Sequence, residues 1–143
     1  MAVIIVQKKF IGDITLDKLK LWVIPVAIEG EQKKLTFNLL LDTGAQRTVI
    51  VPAVQKMLGI EMGLEPVQGI GVGGKSPYLT GEVNLEIGSI SLGDLNVLVG
   101  PLPTLFSKYQ IAGILGADIL QLLSLKIDYP EKLLEISRCL VYL

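Results

Sequence analysis

Short apolar runs, each closed by glycine, proline, aspartate or asparagine, most constrain the fold of this 143-residue chain. This rhythm is typical of strands joined by turns, because strands are short and turns favour these residues. Residues 82–87 show it most clearly, since apolar and polar side chains alternate there as in a half-buried strand. Turns are expected at Gly88 and Gly93–Asp94. Further strands are predicted at residues 23–28, 35–41, 90–92, 95–99 and 125–136, the last folded as a hairpin. The sequence therefore predicts an all-β fold.

Two short helices are predicted beside the strands. Pro52 suits the first position of one helix, and Gly59 suits the stop that follows residues 54–58. The other is expected within residues 117–123, where apolar residues recur at helical spacing. Neither segment resembles the long helix that crosses between two parallel strands. A parallel α/β architecture is therefore not expected.

Composition removes several kinds of chemistry. The chain has no histidine and one cysteine, so catalysis by an imidazole base is excluded and a zinc site lacks its usual ligands. A net charge of −1 argues against a nucleic-acid partner. No window is apolar over the ~18 residues of a membrane helix, and the apolar start is too short for a signal peptide. We expect one cytoplasmic domain spanning residues 1–143, without a metal, another cofactor or a membrane partner.

A glycine-rich segment, residues 69–76, literally matches the phosphate-binding pattern G-x-x-x-x-G-K-[ST]. In nucleotide-binding proteins a helix opens at the end of this pattern. Here Pro77 follows, and the residues beyond it have no helical period. The segment therefore favours the tip of a glycine-rich β-hairpin. Nucleotide binding is retained as an alternative, and it would depend on Lys75.

The second candidate for chemistry is Asp42. An apolar strand ending at residues 39–41 leads into Asp42-Thr43-Gly44, and the chain is apolar again at residues 48–51. The tripeptide alone also fits a strand that ends in an ordinary turn, since aspartate and glycine are turn residues. Its apolar surroundings favour a poorly solvated carboxylate instead. Asp42 is therefore the candidate catalytic residue.

Three segments in this order resemble the retropepsin-type aspartic proteases. They are residues 41–50 with the Asp-Thr-Gly turn, the glycine-rich residues 69–74, and residues 114–120, which read ILGADIL. The family includes retroviral proteases and cellular relatives, such as the protease-like domain of DNA-damage-inducible ubiquitin-receptor proteins. The similarity extends over roughly residues 23–137. It implies a closed β-barrel with one or two short helices, in which each chain supplies one lobe of a homodimer.

The resemblance also implies roles for individual residues. Asp42 would be catalytic, Thr43 would hydrogen-bond across the subunit interface, and Gly44 would let the substrate backbone approach. Ala45 would line the cleft, and Gly116 would pack against the active-site turn. The flap that closes over an extended peptide would be Gly71, Val72, Gly73 and Gly74.

The chemistry of aspartic proteases needs two carboxylates, and the chain has one Asp-Thr-Gly turn. A symmetric homodimer that brings Asp42 beside the partner's Asp42 would complete the pair. The apolar share of 50% also fits a buried subunit interface, although a leucine-rich core explains it equally well. We therefore expect an aspartic endopeptidase acting on extended peptides or proteins. The alternative is a weakly active or inactive dimer that binds peptides or a protein partner.

The sequence departs from the family at residues 46, 47 and 117. Gln46 stands where the family commonly carries Asp, Ser or Asn, and Arg47 stands where some viral members carry an acidic residue. Ala117 stands where viral enzymes carry arginine. A charge-reversed pair of Arg47 with Asp118 would restore the link, although a solvated surface position is the simpler interpretation of Arg47. By analogy with viral relatives, residues 1–9 and 138–143 are candidates for an interface sheet.

Overall fold

The computed structural model describes residues 2–71 and 74–142, which contain ten strands and four short helices. None of these helices is long and apolar enough to cross a membrane. The helices are α1 (Ile14–Leu19), α2 (Pro52–Leu58), α3 (Thr104–Lys108) and α4 (Ala117–Leu120). The strands are β1 (Ala2–Ile11), β2 (Val23–Glu29), β3 (Lys34–Leu41), β4 (Val49–Ile50), β5 (Val67–Gly71), β6 (Gly74–Ile87), β7 (Ile90–Val99), β8 (Ile111–Leu115), β9 (Ser124–Asp128) and β10 (Leu133–Tyr142).

Six strands form a closed barrel in the order β2-β3-β8-β4-β7-β6. The ring closes because Ala27, Ile28 and Glu29 of β2 pair with residues 84–86 of β6. Strand β5 adds to the outer edge of β6 as the other arm of a hairpin. Inward side chains alternate along the strands, and several are fully buried: Ile24, Ile28, Leu39, Ile50, Leu85 and Ile87. The predicted all-β closed barrel is confirmed.

The parallel pairing of β3 with β8 positions the candidate site. Leu41, the last residue of β3, pairs with Leu115, the last residue of β8. Because the strands run in the same direction, the turns that follow them leave the same end of the barrel side by side. Strand β4 continues this arrangement, since Val49 pairs with Ile114 on the other edge of β8. Segments about 70 residues apart in sequence thus meet at one place.

The terminal sheet, as we name it, consists of β1, β10 and β9 in that spatial order. Its inner face buries Phe10, Leu134 and Ile136 in the hydrophobic core of the barrel. Arg138 Nη1 donates a hydrogen bond of 2.8 Å to the backbone oxygen of Ser91 in β7. The predicted C-terminal hairpin is therefore present as β9 and β10.

Several local predictions need correction. Helices α1 and α3 were not expected, and α4 ends at Leu120 because residues 121–123 form a turn instead. Gly93 does not end a strand: β7 is continuous from Ile90 to Val99. The register with β6 shifts beside Gly93, whose φ of 75° is accessible to glycine. A glycine that permits a bulge was thus interpreted as a turn.

Candidate active site

Asp42 lies in a tight turn directly after β3. Its backbone N–H donates to the oxygen of Leu115 at 3.0 Å, which ties the turn to the end of β8. Its Oδ1 accepts a 2.9 Å hydrogen bond from the backbone N–H of Gly44, and its backbone oxygen accepts one from Ala45 at 3.2 Å. Asp42 and Ala45 are half-buried, whereas Thr43 and Gly44 are exposed. The carboxylate is thus held by the backbone of its own turn at the open end of the barrel.

A second set of backbone contacts joins this turn to the start of α4. The N–H of Ala117 donates to the oxygen of Ala45 at 2.8 Å, and that of Asp118 donates to Gln46 at 3.2 Å. A Cβ atom on Gly116 would lie 2.6 Å from the carbonyl carbon of Arg47 and 2.7 Å from its oxygen. These are backbone atoms that cannot rotate away, so glycine is required for the two segments to approach this closely.

Thr48 is a residue of the site that the sequence interpretation missed. It is the one polar residue among the buried side chains described, with 1% exposure. Its Oγ1 donates to Asp118 Oδ1 at 2.8 Å and accepts from the N–H of Gly116 at 2.9 Å. The available signal was a threonine at the start of an otherwise apolar run at residues 48–51. Thr48 thus links the active-site turn to α4 from inside the barrel.

The Asp118 carboxylate accepts several hydrogen bonds within this linkage. Besides the Thr48 hydroxyl, its carboxylate accepts the backbone N–H groups of Thr48 at 3.0 Å and of Ile119 at 2.9 Å. Arg47 Nε lies 3.4 Å from Asp118 Oδ2, so the hypothetical charge-reversed pair is present in the structure. A carboxylate with so many donors is fixed in place, and all of these donors belong to residues 47, 48 and 119.

Strands β5 and β6 form the hairpin that corresponds to the glycine-rich segment. Gly69 pairs with Ser76 and Gly71 pairs with Gly74 in an antiparallel register. Of the predicted flap, residues 71–74, Val72 and Gly73 lie outside the described residues. Ser76 belongs to strand β6, where the nucleotide-binding pattern requires a helix to begin. The structure therefore contradicts the nucleotide-binding alternative and contains the hairpin.

The structure brings Asp42, Thr43, Gly44, Ala45 and Gly116 together at one end of the barrel. Gly71 and Gly74 pair with each other in the hairpin that β5 forms with the first part of β6. Among the described side chains, no hydrogen bond joins the Asp42 carboxylate to another carboxyl group. The turn therefore presents one carboxylate, that of Asp42, held by the backbone around it.

Comparisons with known proteins agree with this arrangement. A family model described as aspartyl protease matches residues 24–119. The chain is similar to the solved structure of EIAV protease in complex with the inhibitor HBY-793, with a TM-score of 0.54 and 29% identity over 73% of this chain and 89% of that one. It is also similar to a retropepsin-like aspartic protease from Rickettsia conorii, with a TM-score of 0.65 over 99% of this chain and 98% of that one. At 14% identity, the second likeness shows the fold alone. No curated protein sequence matches significantly.

Proposed function

The chain belongs to the aspartyl protease family, and from that premise we propose that it is an endopeptidase active as a homodimer. Asp42 of each subunit would supply one of two catalytic carboxylates. The substrate would be an extended segment of a peptide or protein. A cytoplasmic location and the absence of a nucleic-acid partner stay predictions from the sequence.

One observation supports the dimer above all. Asp42 is held at an open end of the barrel, while Asp118, the other carboxylate of this region, is saturated by Thr48, Ile119 and Arg47. Aspartic chemistry needs two carboxylates that share one proton, because like charges about 3 Å apart cannot both ionise comfortably. A two-fold axis beside the turn would place two copies of Asp42 together, since such an interface uses the same surface of both subunits.

The two paired carboxyl groups would then have different roles in hydrolysis, one as a base and one as an acid. The ionised one takes a proton from a water molecule, whose oxygen attacks the carbonyl carbon of the peptide bond. The protonated one donates its proton to the carbonyl oxygen. As the tetrahedral intermediate collapses and the C–N bond breaks, one carboxyl group gives its proton to the departing amine and the other carboxylate takes a proton from a hydroxyl of the intermediate. The pair has regained one proton at the end, so no metal and no covalent intermediate are required.

The remaining site residues would position the substrate and the turn. Gly44, exposed and without a side chain, would allow a peptide backbone to approach Asp42. Ala45 would line the cleft, and Thr43 would contact the partner turn. Gly116 would hold the turn by close backbone packing. The hairpin ending at Gly71 and Gly74, with Val72 and Gly73, would close over the peptide, which would bind as an added strand.

The test combines molecular mass and cleavage in the same samples. Light scattering across a concentration series gives the dimer fraction, and a peptide library gives the activity. We expect activity to rise with the dimer fraction and to fall about 10³-fold or more in Asp42→Asn. Asp94→Asn is the matched control, because Asp94 is an exposed carboxylate in β7, outside the site.

Two results would overturn the proposal. A dimer that cleaves no peptide would favour a peptide-binding module instead of an enzyme. A monomer that cleaves at full rate would show that the second carboxylate comes from the same chain.

A further inference from the structure

Arg47 combines two properties that a purely structural ion pair does not need. It lies in the turn that carries Asp42, and 38% of its side chain is exposed. Within the described part of the chain, its contact with an acidic side chain is through Nε, 3.4 Å from Asp118 Oδ2. A guanidinium group has five N–H donors in a rigid fork. Among the described residues, Nη1 and Nη2 of Arg47 have no hydrogen-bond partner, so most of these donors are available.

Asp118 holds Arg47 in place without using up its donors. The Asp118 carboxylate already accepts from the Thr48 hydroxyl and from the N–H groups of Thr48 and Ile119. Asp118 is therefore anchored to the barrel, and its contact with Nε restricts the stem of Arg47. A restricted guanidinium loses less entropy when it binds a second carboxylate, which it can meet with two parallel hydrogen bonds.

The position of Arg47 relative to Asp42 defines where such a carboxylate would come from. Segments 42–46 and 115–118 run alongside each other, from the Asp42–Leu115 hydrogen bond to the Gln46–Asp118 hydrogen bond. Arg47 lies at the far end of this stretch from Asp42. Five residues span at most about 17 Å, and an extended peptide advances about 3.3 Å per residue. A substrate side chain reaching Arg47 would thus lie within about five residues of the scissile bond.

We propose that Arg47 selects substrates with an acidic side chain two to five residues from the scissile bond. This inference rests on the proposed function, because it takes Asp42 to mark the cleavage point. Acidic side chains next to the scissile bond would gain nothing, since the catalytic pair itself carries one negative charge. The Asp118 charge offsets part of the attraction, so we expect a preference of roughly fivefold, set by hydrogen-bond geometry. The homodimer would present one such arginine on each side of the cut.

The experiment uses peptide pairs that differ only by Glu or Gln at one position, scanned from two to five residues on both sides of a cleaved bond. The wild-type protein should cleave the best Glu peptide about fivefold faster in kcat/KM, chiefly through KM, and the ratio should fall with added salt. In Arg47→Gln the ratio should approach one. Lys33→Gln is the matched control, because it removes the same charge from the turn before β3, at the opposite end of that strand from Asp42.

Binding separates this inference from the proposed function. Asp42→Asn and the double variant Asp42→Asn/Arg47→Gln are titrated with the same fluorescent peptides. A Glu preference in the first variant that is lost in the second supports the role of Arg47, even if the wild type cleaves nothing. Equal affinity for Glu and Gln peptides, or a preference that persists without Arg47, overturns it. A change in dimer dissociation or thermal unfolding with an unchanged Glu-to-Gln ratio assigns Arg47 a structural role alone, which also overturns it.

Discussion

The barrel and the terminal sheet differ in whether each strand has a neighbouring strand on both of its edges. Every barrel strand has a neighbour on both sides, because β6 returns to β2 and closes the ring. In the terminal sheet, β9 pairs with β10 only over residues 133–137. Within the described residues, β10 beyond residue 137 pairs with β1 on one edge and has no strand on the other. The barrel is complete in one protomer, whereas the terminal sheet offers an edge to a further strand.

The two regions also differ in what they share with relatives. The family model covers residues 24–119, which include the barrel and exclude β1, β9 and β10. The Rickettsia structure aligns over 99% of the chain, so the terminal sheet has a counterpart in that fold. Ile5 and Ile11 of β1 are 68% and 83% exposed on the same face. The barrel, which the family model matches, therefore carries the candidate site, while the terminal sheet has an exposed apolar surface and an open edge that suit assembly.

The largest expected effect comes from the core that the two regions share. Leu85 of the barrel and Ile136 of the terminal sheet are both fully buried in one hydrophobic cluster. Leu85→Ala and Ile136→Ala should each lower the free energy of unfolding by about 2–5 kcal/mol, measured by urea denaturation. Both curves should show a single transition. Two transitions in Ile136→Ala would mean that the terminal sheet unfolds separately, against the prediction of one domain.

Asp118 tests the linkage inside the barrel. Asp118→Ala removes the carboxylate that accepts hydrogen bonds from Thr48. The buried hydroxyl and backbone N–H of Thr48 would then have lost their acceptor. We expect a loss of about 2–3 kcal/mol in urea unfolding. Asp118→Asn retains one oxygen acceptor and should lose less. If the two variants were equally stable, hydrogen bonding to Thr48 would not be what holds the active-site turn.

Ile5 tests whether the terminal sheet assembles the dimer. Ile5 pairs with Cys139, in the part of the β1–β10 ribbon beyond β9. Ile5→Lys should raise the dimer dissociation constant about tenfold or more while leaving protomer unfolding unchanged, because the side chain is exposed before assembly. Sedimentation measures the constant. Ile11→Lys is the control at the other end of β1, and an equal effect of both would place the interface elsewhere.

The smallest effect is expected from the ion pair of Asp17 and Lys132, 2.6 Å apart, which joins α1 to the turn between β9 and β10. The hydrogen bond from Lys132 lowers the pKa of Asp17 in the folded state. The contribution of the ion pair to stability is therefore fully present above the ordinary pKa of an aspartate, and it is lost as the pH falls through the lowered pKa of Asp17. Asp17→Asn should lower Tm slightly at pH 7, and the difference from wild type, measured by calorimetry, should shrink as the pH falls below the ordinary pKa of 3.8. A difference that did not shrink with falling pH would point to another cause.

Local signals explain what the sequence predicted correctly. Pro52 and Gly59 bound α2 as expected, with Gly59 at a φ of 67° after the last turn. Alternation identified β2, β3 and the inner part of β6, since the pattern of apolar side chains can be recognised within each segment without knowing its distant partners. Asp42 was placed correctly at the end of an apolar strand for the same reason.

What the sequence could not supply depends on partners far along the chain. The Thr48–Asp118 hydrogen bonds cross 70 residues, and Thr48 alone resembles an ordinary β-branched strand residue. Helix α1 did have a local signal, because Asp13 caps it by accepting from the N–H of Thr15, but its six residues are too few for a clear period. The terminal segments were expected at an interface. In the structure they pair with each other, and contact with a second copy stays a prediction.

The pairing of β1 with β10 imposes an order of events during synthesis. Residues 2–11 find their partners only after about 120 further residues have been added. At roughly 5–20 residues per second, that interval is on the order of 10 seconds. Strand β3 must also await β8 before the Asp42 turn gains its neighbour. If the terminal sheet carries the proposed dimer, a growing chain would not cut its surroundings or itself, because the proposed catalytic pair would form only between two chains that have both been synthesised through residue 142.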